Sequence, residues 1–289
     1  MGSGIQQLQS FATCRGRGLV LGRAQGAGEA HTRDRDVALA VASILGEDEA
    51  TLGGPARTVV LRIHARDDAN WAAPALHWLS ERGRRVVLRT CVRMSKGLVD
   101  AAQRWGATTV LELAHARPRL QAALLGGSAE PTSALLLHAQ HLRSCNIEVV
   151  ASLGPLLPTV HDRSGAAASL MKHVVAADIR DAHLVVGRLG PGRLEALASM
   201  LSWGDLLALA RAYDLPIDPE SAWPIVGAST ARLALRTHTV FLHAMHRIAE
   251  GVGLRIDHCG CPAQCHLDSG LVPACVSLRT SDLFAAEAG

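Results

Sequence analysis

Between residues 58 and 190, short β-branched runs alternate with stretches whose apolar residues recur at helical spacing. TVVLRI (58–63), RVVLRT (85–90), TTVLEL (108–113), IEVVASL (147–153) and AHLVVGRL (182–189) read as strands. The stretches 71–82, 97–106, 133–144 and 166–177 between them read as helices. Near-continuous apolar strands separated by helices predict βαβ crossovers and a parallel sheet covered on both faces. A weak strand within 17–23 and a helix over 35–45 supply an earlier unit. The expected fold class is α/β: a partial (βα)6 TIM-like barrel, short of the eight units that close a full one.

Beyond Gly190 the rhythm changes. Residues 193–213 and 229–250 predict long helices, separated by a loop over 214–223 that contains Pro216 and Pro219. The last forty residues are rich in Gly, Cys, Pro and His. The chain therefore divides on paper into a barrel-like region, 1–200, and a helical extension, 201–289, ending in a cysteine-rich segment.

With 48% hydrophobic residues in 289, a substantial core is available. No uncharged apolar run approaches the length of a membrane span, and residues 1–14 combine neither a basic region nor an apolar one as a secretory signal does. A soluble cytoplasmic protein without a membrane partner is the expectation. The net charge of +3 and 3% aromatic content argue against a nucleic-acid partner. Lysine occurs only at 96 and 172, so the abundant arginine reflects composition more than function.

Seven cysteines include four in a short span, Cys259, Cys261, Cys265 and Cys275, with His258 and His266 beside them. Thiolates this close on a Gly/Pro-containing turn suit a zinc ion or an iron–sulfur cluster. The bland alternative is a reduced loop with incidental thiols. Cys91 and Cys145 lie in apolar surroundings and read as core thiols.

Residues 13–24 read Thr-Cys-Arg-Gly-Arg-Gly-Leu-Val-Leu-Gly-Arg-Ala. Taken as a loop at the end of a first barrel strand, they resemble the C-x3-C-x2-C segment of the radical S-adenosylmethionine (SAM) superfamily. There three cysteines hold a [4Fe–4S] cluster that binds and cleaves SAM. Here the spacing falls on Cys14, Gly18 and Leu21, so one ligand of three is present. Residues 112–131, 147–150 and 154–162 are similar to the fourth and fifth βα units of the spore-photoproduct-lyase-like branch, and the likeness runs from about 10 to 200. The resemblance implies a SAM-side role for Cys14, for Asp67 and Asp68 in place of the family's Gly-Gly-Glu segment, and for Glu112 and Asp162 at strand ends. The family's arginine after Glu130-Pro131 has no counterpart in 132–137. SAM binding is thus weakened together with the cluster.

Three readings follow. The first is a non-catalytic, radical-SAM-like partner or binding subunit with a C-terminal cysteine metal site, its partner an intact homologue or another protein. The second is an active iron–sulfur, SAM-dependent enzyme whose cluster the C-terminal cysteines hold. The third is a metal-dependent hydrolase or lyase using the strand-end residues Asp67, Asp68, Glu112, His115, His161 and Asp162.

Overall fold

The computed structural model describes residues 5–13, 16–23, 34–52, 56–163, 165–226 and 231–256. Cys14, Cys259, Cys261, Cys265 and Cys275 lie outside the described residues. Eight strands form one sheet in chain order. β1 (Ile5–Thr13) and β2 (Gly16–Arg23) make an antiparallel hairpin. β3 (Ala56–Ile63), β4 (Arg85–Thr90), β5 (Thr108–Leu113), β6 (Val149–Leu156), β7 (Asp181–Val186) and the two-residue β8 (Arg255–Ile256) follow. The pairings β2/β3, β3/β4, β4/β5, β6/β7 and β7/β8 are parallel. A strand order that never reverses is the order of (βα) barrels. A doubly wound sheet would show a switch point. The expected α/β class and its βα alternation are found.

Two compact units divide the chain. The first takes residues up to Leu111 together with His138–Val150. Its helices are α1 (Asp34–Leu52), α2 (Ala69–Ser80) and α3 (Lys96–Trp105). Val60, Val87, Val110 and Val150, one from each of four strands, pack as a buried cluster. α2 buries Trp71, Ala72, Ala75, Leu76 and Leu79, the one-sided stripe its spacing predicts. α3 starts where the Ser95 side chain accepts the Leu98 amide and stops at Gly106, whose φ of 62° a residue with a Cβ adopts only at a cost.

The second unit takes Glu112–Leu137 and Ala151–Asp257. It contains α4 (Pro118–Leu125), α6 (Ala166–Ala176), α7 (Pro191–Ala198), α8 (Trp203–Ala212) and α9 (Leu235–Gly251). The helix α5 (Thr132–Ser144) contributes to both units. α9 buries Phe241, Met245 and Ala249 at four-residue intervals. The Tyr213 hydroxyl donates to the Gly187 carbonyl at 2.7 Å, and burial raises its pKa. Among the described residues no helix is long and apolar enough to cross a membrane.

Two expectations need correcting. The single helix over 193–213 is two, α7 and α8, because Ser202 accepts the Asp205 amide and begins a new helix there. More consequentially, the weak strand expected within 17–23 is present as β2, so this stretch is not the cluster loop that the resemblance makes of residues 13–24. Residues 16–23 are the second arm of a hairpin, with Gly18 paired to Phe11 and Thr58, and Leu21 paired to Gln7 and Leu61. Leu21 is fully buried. An apolar side chain inserted in the core cannot also face an iron–sulfur cluster.

Candidate functional site

The residues singled out from sequence fall into different settings. Asp67 is exposed in a short turn after β3. Asp68, buried beside it, accepts the amides of His64 (2.8 Å) and Ala65 (3.0 Å) and the Trp71 indole N–H (3.2 Å). Its carboxylate thus organises the entry to α2. Cys91 is buried next to β4, with its Sγ 3.8 Å from His64 Nδ1. In the second unit Glu112 is buried near the end of β5, while Asp162 is exposed and accepts the Thr159 amide at 2.6 Å.

Of these residues, the second unit brings His115 and His161 together. Gln121 on α4 secures the end of β5: its Oε1 accepts the amides of Ala114 (2.7 Å) and His115 (2.9 Å), and its Nε2 donates to the Glu112 carbonyl (3.3 Å). The Thr132 hydroxyl donates to the His115 carbonyl at 2.7 Å. So anchored, the two rings stand 5.5 Å apart, tilted by 58°. His161 accepts the Leu157 amide at Nδ1 (2.9 Å) and donates from Nε2 to the Ala114 carbonyl (2.7 Å). Both of its nitrogens serve the backbone. His115 accepts the Arg117 amide at Nδ1 (2.9 Å), which assigns its proton to Nε2. Burial, with His161 and Arg117 nearby, lowers the His115 pKa to about 4. Burial lowers that of His161 too, against the opposing effect of its hydrogen bonds to Ala114 and Leu157 and of the Asp162 charge. Both imidazoles are neutral at pH 7.

A cavity of about 450 Å³ opens against His115. Arg117, Thr159, Arg163, Ser202 and Asp205 supply its polar wall, and Leu120, Val160, Met200 and Leu201 its apolar one. Asp205 is ion-paired with Arg163 and accepts the Ser202 hydroxyl at 2.7 Å. The Ser202 hydrogen bond, ahead of the Arg163 charge, lowers the Asp205 pKa. Thr159 has a φ of 65°, a conformation that costs a β-branched residue on the order of 1–3 kcal/mol. Strain of this kind collects where a binding surface requires one backbone shape.

The fragments Arg117-Pro118 and Ser202-x-x-Asp205 carry recognisable helix-start chemistry, so α4 and α8 were detectable from sequence. That their starts line one cavity was not, because nothing local links residues more than eighty positions apart.

No protein-family profile matches the chain, and no curated protein matches it. Solved structures do give matches. One is the crystal structure of Streptococcus suis SuiB, at 8% identity, with a TM-score of 0.43 over 81% of this chain and 46% of that one. Another is an HMG-CoA lyase from Brucella melitensis, at 13% identity, with a TM-score of 0.35 over 74% and 89% respectively. The chain thus spans less than half the length of the SuiB chain.

Proposed function

We propose that this chain is a radical-SAM-like binding subunit that does not cleave SAM. The carrying observation is the burial of Leu21 within a paired strand, at a position the resemblance assigns to a cluster cysteine. The donor set at 14, 18 and 21 is one thiol and two positions without a donor atom, which does not fit a cubane. The four C-terminal cysteines, Cys259, Cys261, Cys265 and Cys275, would hold zinc or an iron–sulfur cluster of their own. An intact homologue or another protein subunit is the fitting partner class. The hydrolase reading is less favoured: Asp68 is occupied by the His64 and Ala65 amides and the Trp71 indole, Asp162 holds the Thr159 amide, and both His161 nitrogens serve the backbone.

Anaerobic reconstitution with iron and sulfide, metal analysis, and EPR of the reduced protein with and without SAM test this reading. The expected result is metal that disappears when all four C-terminal cysteines become serine, with no SAM-perturbed cluster signal. A [4Fe–4S] signal that SAM shifts would overturn it in favour of an active enzyme.

A further inference from the structure

We propose that the cavity beside His115 binds an organic oxyanion: a carboxylate or phosphate ester on a short apolar body. This goes beyond the binding-subunit reading and does not depend on whether the C-terminal cysteines hold metal.

Helix starts meet there. Arg117 is the first cap of α4, and Ser202 that of α8; both line the cavity. Ser202 satisfies the start of α8; at α4, Pro118 has no N–H and the Arg117 amide is spent on His115 Nδ1, so the Arg119 and Leu120 amides are the ones that keep their partial positive charge. At α6, the amides of Ala166 and Ala167 are already taken by the carbonyls of Arg163 and His161.

A helix start alone would be weak grounds, and His115 supplies the independent one. Its side chain lines the cavity in a residue only 4% exposed, and Nε2–H has no hydrogen-bond partner among the described residues. The donor is not sealed within the protein but turned to the cavity, so whatever fills the cavity accepts from it.

The charge on the wall gives the sign. Asp205 is committed to Arg163 and Ser202, so that pair is neutral overall. Arg117 has no acidic partner among the described residues, which leaves a net positive wall. An exposed guanidinium, a neutral imidazole donor and open helix amides all donate, and carboxylates and phosphates accept from each of them. Asp205, the one carboxylate among the described lining residues, is already engaged, so the wall is not set for a cation. Leu120 and Met200 line the cavity as well, so a bare inorganic ion would leave apolar wall uncovered. The volume lies in the range of small-molecule sites.

Calorimetric titration of the full chain at low salt tests the site, with hexyl phosphate, hexanoate and inorganic phosphate as separate probes. One-to-one saturable binding of at least one organic anion is expected; which one binds separates an ester from a carboxylate source. Inorganic phosphate should bind at least about tenfold more weakly than the better organic probe. Arg117→Ala, an exposed change, should weaken binding about ten- to hundredfold, while Arg211→Ala elsewhere on α8 changes it less than about twofold. His115→Phe, shown folded by circular dichroism, should weaken it too. No saturable binding of either organic anion up to ~10 mM, equal affinity for inorganic phosphate, or equal behaviour of the two arginine variants would each overturn the proposal.

Discussion

His115 and His161 are neutral because burial denies the imidazolium its hydration, and at His115 the neighbouring His161 and Arg117 add to the effect. The folded pKa values of both histidines lie below the unfolded value of 6.5, so the unfolded chain binds more protons as pH falls. Stability from these residues is therefore present above pH 6.5 and is lost as pH drops below it, for His115 down to about pH 4. Urea unfolding between pH 7.5 and 4.5 should show this decline, with a smaller slope in His115→Gln; an unchanged slope refutes it. Two glycines give a second contrast. A Cβ at Gly154 would stand 2.3 Å from the Val185 carbonyl oxygen, whereas Gly106 faces open space. Gly154→Ala should cost about 3 kcal/mol or more, and Gly106→Ala about 1–2, through its left-handed φ alone. The strand-following positions of the two histidines were legible in the sequence. Their partners were not, since the Ala114 and Leu157 carbonyls and amides look like any others until folded.

Helix α2 shows a single element obeying its pattern. The stripe from Trp71 to Leu79 is readable at 3.6-residue spacing, and the structure buries it as read. Leu79→Ala should cost about 2–5 kcal/mol, measured by urea denaturation, because a filled site is left with a cavity. The cap of α3 is weaker: its Ser95 oxygen lies 3.4 Å from the Leu98 amide, and Ser95→Ala should cost about 0.5–1 kcal/mol. β1 was missed for a physical reason. Its sequence, IQQLQSFAT, is polar and lacks a β-branched run, and it becomes a strand by pairing with β2. Once that hairpin is present, the stretch that resembled a cluster loop is an inner strand between β1 and β3.

For the molecule entire, parallel pairing among β2–β5 and among β6–β8 puts the ends of the strands within each set on one side, and the loops that follow them carry the candidate residues. The two binding proposals rest on separate parts of the chain. Changing Cys259, Cys261, Cys265 and Cys275 to serine should abolish bound metal while hexyl phosphate or hexanoate affinity stays within about twofold. A parallel loss of both would show that they are one site. The α/β class, the βα rhythm and the apolar faces of α2 and α9 were written in local periodicity, because burial of one face imposes a repeat that short windows reveal. The hairpin at the amino end was settled by strand pairing and the division of α7 from α8 by a local cap, whereas the cavity lined by His115, Arg117 and Asp205 came from contacts between distant segments. Such contacts depend on which backbone groups meet after the chain has folded, and no repeat along the chain encodes them.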